Sequence, residues 1–224
     1  MLHKTAVVIP AYNASQTLPD LIRRVSVHLP QKNIIVVDDG SRDQTSQAVE
    51  ETEATLLHHP ENRGKGEALK TGFQHAVGKG YDLVITLDSD LQHDPRFIED
   101  FLSRVRLNNA DLILGRRNIN VKTMPLTRYL SNKLTSSVIS ILTGRSIKDS
   151  QSGYRLIKSK VLRSLKLRSR KYDLESEILL KAAKKRFKIG SIPVSTIYVH
   201  NRGFASPLAN TLRFLLLVWR SLWW

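Results

Sequence analysis

Short apolar segments alternate with helical segments throughout the first half of the chain, and this alternation restricts the fold more than any other feature. The predicted strands cover residues 5–10, 33–37, 54–58, 82–88 and 111–115. Helix signals lie between them: Ser15 can cap a helix that reaches about residue 29, and Asp94 followed by Pro95 marks the start of another. Strands and helices in this order predict an α/β fold, with a Rossmann-like, mostly parallel sheet flanked by helices.

The second half of the chain has longer helical segments. One predicted helix places five apolar residues on a single face: Leu126, Leu130, Leu134, Val138 and Leu142. The elements predicted after it are a polar loop, a helix and a strand pair or hairpin edge, at residues 149–155, 173–186 and 189–199. The last segment, 208–224, is apolar at helical spacing, which fits a core or dimer helix nearly as well as an amphipathic interfacial one. The net charge of +19 over residues 113–224 favours the interfacial helix. We therefore expect one domain over residues 1–206 and a membrane-associating helix over 207–224.

Charge is distributed unevenly along the chain. The chain has 35 Lys and Arg against 20 Asp and Glu, a formal net charge of +15. Residues 1–112 contain 12 basic and 16 acidic residues, so residues 113–224 hold 23 basic and only 4 acidic ones. A half with a net charge of +19 predicts an anionic partner: nucleic acid, phosphates or a membrane surface.

Cysteine content and apolar runs indicate the compartment. The chain has no cysteine, which excludes disulfides and cysteine–zinc sites and fits a reducing environment. The apolar stretch behind Met1 ends at Pro10, which is too short for a signal peptide. No run reaches the roughly 18 apolar residues of a spanning helix. We expect a cytoplasmic protein bound peripherally to the cytoplasmic face of a membrane, with a separate membrane protein as a possible partner.

Polar motifs follow four of the predicted strands where each strand ends. They are Pro10-Ala-Tyr-Asn13, Asp38-Asp-Gly-Ser41, Asp88-Ser-Asp90 and Gly115-Arg-Arg117. Open α/β sheets bind ligands beyond the carboxyl ends of their strands, so these motifs indicate one shared site. Asp88 and Asp90, one residue apart, can direct oxygens at a single Mg²⁺ or Mn²⁺ ion. The alternative interpretation is an acidic turn before the next helix.

Two of these strand ends suit a nucleoside. Asp38 and Asp39 can accept hydrogen bonds from a base or a ribose, although Asp-Gly-Ser is also a plain turn signal. Tyr12 can stack beside a base, and ordinary packing is the alternative for a single tyrosine in such a loop. These residues therefore become candidates only in combination with the acidic pair.

Basic residues near the other strand ends suit phosphates. Lys65 lies in the loop Asn62-Arg-Gly-Lys-Gly66, which resembles a phosphate-cradling loop without the spacing of a P-loop. Arg116 and Arg117 can neutralise a diphosphate. Glycine flexibility before a helix and a solvated arginine pair are the corresponding alternatives.

Taken in order along the chain, these motifs resemble a known family. Val36-Val-Asp-Asp-Gly-Ser-Arg-Asp43 and Gln151-Ser-Gly-Tyr-Arg155 extend the pattern. Over residues from about 5 to 206, the chain is similar to family 2 glycosyltransferases of the GT-A fold, and among them to dolichyl- or polyprenyl-phosphate mannose and glucose synthases. The resemblance implies an inverting transfer from a nucleotide-diphosphate sugar donor, with Mg²⁺ or Mn²⁺ as cofactor.

The resemblance also assigns roles to residues of this chain. It implies metal and diphosphate contacts for Asp88, Asp90 and Gln92, nucleoside contacts for Pro10, Tyr12 and Asp38, and a donor-phosphate contact for Arg117. The other predicted substrate contacts near these motifs are Asn13, Asp39, Lys65, Ser89 and His200. Asp90 and Arg117 are therefore the predicted catalytic residues. The chain departs from the family at Ala14, where glutamate is frequent, and at His200–Ser206, which lacks the usual glutamate and lysine.

The acceptor decides whether a general base is needed. The oxygen of a lipid phosphate is already anionic, whereas a hydroxyl must give its proton to a carboxylate. Glu175 and Glu177 lie in a segment, Tyr-Asp-Leu-Glu-Ser-Glu, that resembles polyprenyl-phosphate enzymes. We therefore predict a polyprenyl phosphate acceptor; the arginines predicted to attract it are Arg128, Arg155 and Arg202.

Three other functions stay open at this point. A transferase of the same family can use a hydroxyl of a glycan or glycolipid, and a nucleotidyltransferase would release pyrophosphate instead. A non-catalytic basic module would bind nucleic acid or a membrane. Proteins that bind single-stranded nucleic acid interleave aromatic with basic residues. The tryptophans of this chain are instead all near its C-terminus: Trp219, Trp223 and Trp224. We therefore expect no nucleic-acid partner.

Overall fold

One sheet of seven strands organises the computed structural model, which describes residues 4–108, 110–118, 126–196, 207–221 and 223. The strands are β1 (Thr5–Ala11), β2 (Ile34–Asp38), β3 (Thr55–His58), β4 (Leu83–Thr86), β5 (Leu112–Arg117), β6 (Arg155–Lys158) and β7 (Ile189–Val194). Their order in the sheet is β3-β2-β1-β4-β6-β5-β7. Every pairing is parallel except those of β6, which runs antiparallel to β4 and β5. The predicted α/β fold with a mostly parallel sheet is confirmed.

Helices cover both faces of this sheet. In the described residues they are α1 (Leu18–Ser26), α2 (Thr45–Glu50), α3 (Lys65–Gly78), α4 (Ile98–Asn108), α5 (Leu126–Thr143), α6 (Ser159–Ser164), α7 (Leu174–Lys184) and α8 (Pro207–Ser221). Asp94 caps the 3₁₀ turn that leads into α4, as predicted. Ser15 does not cap α1, because the carbonyl of Ala14 accepts the N–H of Leu18 at 3.0 Å and the helix begins there.

Side chains of β1 alternate between two apolar clusters, one on each face of the sheet. Val7 and Ile9 pack with α1, α2 and α4, whereas Ala6 and Val8 pack with α3, α6 and α7. Because helices cover both faces, β1, β2 and β4 are buried along their whole length. This explains why the strands appear in the sequence as continuous apolar runs.

Of the two strands encoded last, β6 differs from the prediction. β6 was not predicted, since residues 149–155 were assigned to a loop and only Leu156 and Ile157 are apolar between Arg155 and Lys158. β7, the first part of the predicted strand pair or hairpin edge, runs parallel to β5. The rest of the predicted pair, residues 197–199, lies outside the described residues.

Helix α5 buries polar side chains and exposes apolar ones. Its buried positions include Asn132, Thr135 and Ser136, each at most 4% exposed. The exposed fractions of Leu126, Leu130 and Leu134 are 58%, 54% and 55%. The polar side chains are buried because they bond to the loop before β6; Ser136 Oγ, for example, accepts the N–H of Ser150 at 2.9 Å. The predicted apolar stripe therefore exists but faces outward.

Helix α8 packs on α5 and α7; Phe214 and Leu217 are each 5% exposed, and Val218 packs beside them. Exposed apolar side chains among its described residues are Leu215, Leu216, Trp219 and, just beyond the helix, Trp223. Within the described residues, no helix combines the length and apolarity needed to cross a bilayer. The interfacial role of this helix and the boundary after residue 206 stay predictions.

Candidate active site

The acidic pair lies directly after β4, at the carboxyl edge of the sheet. Lys65 places its Nζ 2.6 Å from Oδ1 of Asp88 and 2.7 Å from Oε1 of Glu175. The backbone N–H of Asp88 donates to Nδ1 of His93 at 3.2 Å. Oδ1 of Asp90 accepts the N–H of Gln92 at 3.1 Å. The start of α3, the end of β4 and the start of α7 therefore meet at the ammonium group of Lys65.

The two carboxylates differ in protonation tendency. Burial opposes ionisation of Asp88, but the charge of Lys65, followed by that of His93, lowers its pKa to about 2. Burial, followed by the charge of Asp88, raises the pKa of Asp90. Burial opposes the charge of Lys65, yet Asp88 and Glu175 raise its pKa. Perturbed carboxylates at a strand end are typical of a functional site.

Gly153 permits the close approach of the loop before β6 to Asp88. A Cβ added at Gly153 would lie 2.6 Å from Oδ2 and 2.8 Å from Oδ1 of Asp88. Oγ1 of Thr86, in β4, donates to the carbonyl of Gly153 at 2.6 Å and fixes this approach. The sequence analysis assigned no role to Gly153, although it lies within the Gln151–Arg155 motif.

Arg117 is held rigidly at the end of β5. Its Nε and Nη2 donate to the two carboxylate oxygens of Asp149 at 2.8 and 2.9 Å, and its backbone N–H donates at 3.1 Å. Nδ2 of Asn132, on α5, donates to the same carboxylate at 2.9 Å. Although burial opposes it, the bonds from Arg117 lower the pKa of Asp149, so the pair stays charged. The N–H of Gly115, in β5, donates to the carbonyl of Tyr154 at 2.8 Å, next to Gly153, which lies against Asp88, so the end of β5 belongs to the same site.

The ends of β1 and β2 form the other side of the site. Pro10 is buried, and Tyr12 follows it with a side chain that is 46% exposed. Asn13 has a left-handed backbone (φ 51°) and bonds to the Ser41 hydroxyl through its N–H at 2.9 Å. Asp38 is buried and accepts one hydrogen bond at each carboxylate oxygen. Its side chain is only 1% exposed, so, like Asp39, it holds the loop that follows its strand, and the nucleoside contact predicted for it is corrected.

Asp39 has a positioning role, which corrects the predicted substrate contact. Its Oδ1 bonds to Nδ1 of His59 at 2.7 Å and accepts the N–H of Arg63 at 3.0 Å, and its Oδ2 accepts the N–H of Gly64 at 2.7 Å. The side chain is 3% exposed. Because both oxygens are bound inside the protein, Asp39 anchors the loop that carries Lys65.

Arg155 also differs from the prediction. Its three bonds to backbone carbonyls, at 2.8, 2.6 and 2.7 Å, reach Ser152, Glu175 and Ser150. The residue is 1% exposed, so its guanidinium holds the loop before β6 against α7 and does not face an acceptor. Arg155 is a structural residue beneath the site.

The remaining predicted residues divide into two groups. Ser89 and Gln92 lie beside the acidic pair and are partly exposed. Outside the described residues lie His200, Arg202 and the side chain of Arg128. His93 was not predicted as a site residue; its ring is 4% exposed and stacks on Tyr154 at a centroid distance of 5.2 Å. Its position directly after Gln92 could have indicated a role in the site. Asn132, which holds Asp149, was also not predicted, and no sequence pattern indicates it.

Comparison with known proteins agrees with this geometry. The family model for glycosyl transferase family 2 matches residues 6–166. The chain belongs to glycosyl transferase family 2. A family relative, the UDP-N-acetylglucosamine–dolichyl-phosphate N-acetylglucosaminyltransferase of Methanococcus voltae, is 32% identical over 213 residues, which cover 85% of this chain and 84% of the relative. The polyprenol monophosphomannose synthase of Mycolicibacterium smegmatis is 29% identical, covering 86% and 77%.

Solved structures show the same fold at lower identity. Glucosyl-3-phosphoglycerate synthase from Mycobacterium tuberculosis, in complex with UDP, superposes with a TM-score of 0.81 at 20% identity, covering 98% of this chain and 80% of that one. The same enzyme with Mn²⁺ and UDP-glucose gives a TM-score of 0.78 at 21% identity, covering 96% and 79%. The predicted GT-A fold of the family 2 transferases is thus confirmed for this chain.

Proposed function

We propose that this family 2 transferase moves a sugar from a nucleotide-diphosphate donor to a polyprenyl phosphate at a membrane surface. The proposal is supported by relatives whose names specify dolichyl or polyprenol phosphate acceptors. The structural observation that carries it is whether the acidic residues in the second half of the chain are free to act as a general base. That half has four: Asp149, Asp173, Glu175 and Glu177.

Three of these acids are already bound inside the protein. Asp149 pairs with Arg117, and Glu175 pairs with Lys65. Glu177 is 1% exposed and accepts the backbone N–H groups of Arg168 and Ser169. None of the three is available as a general base. Of the four, this leaves only Asp173, which is partly exposed at the start of α7, so an acceptor that needs no base, such as a phosphate, fits best.

The acidic pair has the ligand chemistry of a Mg²⁺ or Mn²⁺ site. Asp88, Asp90 and the amide oxygen of Gln92 are hard oxygen donors at one partly exposed strand end. Within the described residues, no cluster of three or more His, Asp or Glu side chains forms a complete metal cage. Two carboxylates suffice where substrate phosphates and waters complete the shell. A bound ion would neutralise the charge that develops on the leaving diphosphate.

The residues of the chain then act by position and charge. Arg117, fixed by Asp149, directs its charge toward the donor phosphates. Tyr12, whose side chain is 46% exposed, contacts the nucleoside. The acceptor oxygen bonds to the anomeric carbon as the bond from that carbon to the diphosphate breaks, and attack from the opposite face inverts the configuration.

Helix α5 connects the donor site to the membrane. Leu126 and Leu130, whose side chains are exposed, flank Arg128 in the sequence, and Asn132 on the same helix holds Asp149. Leucines that face outward together with the tryptophans of α8 suit insertion at an interface, and the +19 charge of residues 113–224 suits an anionic leaflet. A lipid phosphate would meet Arg128 at this helix.

A direct comparison of acceptors tests the proposal. Undecaprenyl phosphate and undecaprenol are each incubated with UDP-, GDP- and dTDP-sugars and Mn²⁺, and the products are identified by mass spectrometry. We expect a glycosylated phosphate and no product from the alcohol. Transfer to both lipids at equal rates would show that a base exists, and transfer to neither would contradict the lipid acceptor.

A further inference from the structure

A cationic cavity lies behind the donor site, between the loop after α5 and the β5–β7 pair. Its volume is about 250 Å³, and its floor includes Leu114 and Ile189. Three basic residues line it: Arg116, Arg145 and Lys148. We propose that this cavity is a second anion-binding site, which takes the phosphate group of a ligand other than the sugar donor.

The charges of this cavity are uncompensated by the protein. No ion pair to a carboxylate is seen for Arg116, Arg145 or Lys148 within the part of the chain that the structure describes. Asp149 also lines the cavity, but its carboxylate oxygens are bound to Arg117 and Asn132. Cations that line a concave surface whose carboxylate is already paired elsewhere favour a bound anion.

The cavity is separate from the donor site. Successive side chains of a strand point to opposite faces, so Arg116 lies with Leu114 on the cavity side while Arg117 bonds to Asp149. The residues of the acidic pair do not line the cavity. A ligand bound there would meet the donor site only through Asp149.

The size and lining of the cavity specify a small anion. Pockets for whole organic ligands usually enclose roughly 300 to 1,000 Å³, so a cavity of about 250 Å³ suits a phosphate group more than a nucleotide. The hydroxyls of Ser146 and Ser191 supply neutral donors beside the charges. Arginine and lysine together with hydroxyls form typical phosphate contacts.

The position of the cavity allows two sources of phosphate. Ile141 and Leu142, in the last turn of α5, are 80% and 40% exposed and lie just before Arg145 in the chain. A helix resting on a bilayer would bring the cavity mouth to the phospholipid headgroups. Free phosphate in solution presents the same chemistry, and the experiment below separates the two.

The test compares two variants of the full chain with equal charge change. Arg145→Gln/Lys148→Gln removes two charges from the cavity, and Lys184→Gln/Lys185→Gln removes two from the exposed end of α7. Binding of inorganic phosphate is measured by calorimetry. Binding to phosphatidylcholine vesicles is measured with and without phosphatidylglycerol. Melting temperatures verify the fold, and the single variant Lys148→Gln, at an exposed position, serves if the double cavity variant is unstable.

Two results support the proposal and identify the source. If the cavity variant binds inorganic phosphate at least about tenfold more weakly than the control variant, the site takes free phosphate. If instead only the phosphatidylglycerol-dependent vesicle binding falls in the cavity variant, the site takes a lipid headgroup. Equal behaviour of the two variants in both assays would overturn the proposal, without bearing on the acceptor experiment.

Discussion

At Gly153 the absence of a single carbon atom determines where a carboxylate can lie. The loop before β6 comes so close to β4 that any side chain at this position would meet Asp88. The same carboxylate is held on its other side by Lys65. The geometry of the acidic pair therefore depends on residues far apart in the sequence.

We expect Gly153→Ala to displace the Asp88 carboxylate, because the added Cβ would lie 2.6 Å from Oδ2. Mn²⁺ affinity, measured by electron paramagnetic resonance, should fall by about 10- to 100-fold, as for other changes that misplace a metal ligand. Gly78→Ala is the control, since nothing lies within 4 Å of the added atom there. Equal Mn²⁺ affinities for the two variants would contradict this account of Gly153.

We expect Asp90→Asn to abolish metal-dependent transfer while the fold stays intact. Burial, followed by the charge of Asp88, already disfavours ionised Asp90, so the neutral amide should not lower the melting temperature. The loss of a charged ligand should reduce turnover by a factor on the order of a hundred or more. A folded variant with near-normal turnover would show that Asp90 does not hold the metal.

At the scale of elements, α5 shows what periodicity can and cannot predict. The repeat of Leu126, Leu130 and Leu134 predicted a helix and its apolar stripe, and both are present. It did not show which face is buried, because that depends on Ser150 and the rest of the loop before β6. β6 was missed for a similar reason: pairing with β4 and β5 defines it, and two apolar residues are too few to predict a strand.

The site was predictable where its residues follow strands. Asp88, Asp90 and Arg117 were found because each lies at the end of an apolar run. The pairing of Lys65 with Glu175 joins positions 110 residues apart, and no local pattern encodes it. The burial of Arg155 likewise depends on carbonyls of three separate residues.

We expect Asn132→Ala to destabilise the fold through Asp149. The change removes a buried hydrogen bond of 2.9 Å and leaves the carboxylate with one donor fewer, at a cost of about 1–3 kcal/mol in the free energy of unfolding. Urea denaturation measures it. Ser137→Ala, at an exposed position of the same helix, should change stability by less than about 0.5 kcal/mol. Similar values for both variants would show that the amide contributes nothing.

At the scale of the whole molecule, charge and apolar exposure coincide. The second half of the chain contributes α5 and α8, with their outward leucines and tryptophans, and it also carries the excess of basic residues. The first half contributes β1, β2 and β4, with the nucleoside side of the site and the acidic pair. The proposed membrane contact therefore lies in the second half, whereas the candidate donor site combines the two halves, with Arg117 and Glu175 supplied by the second.

We expect Trp219→Ser/Trp223→Ser to weaken binding to vesicles of phosphatidylcholine and phosphatidylglycerol by at least about tenfold. Both side chains are exposed, at 62% and 81%, so the fold should be unaffected. Substitution is preferable to deleting 208–224, because that deletion would remove the buried Phe214.

The matched control is Val27→Ser/Leu107→Ser, which removes two apolar side chains exposed at 78% and 80% beside α1 and α4. This variant should float with vesicles as the unmodified protein does. If both variants lose the same amount of binding, the contact is a general effect of apolar exposure and α8 has no special part in it.

The position of β6 has a consequence for the order in which the chain is synthesised. β6 separates β4 from β5 in the sheet, although it is encoded after both. When a nascent chain has emerged only as far as Arg117, the facing edges of β4 and β5 still lack the strand that pairs with both. Such unpaired edges attract chaperones or other chains. β4 and β5 are joined only after Lys158 has left the ribosome, so the domain matures late in translation and cannot be divided between β5 and β6 into two self-sufficient fragments.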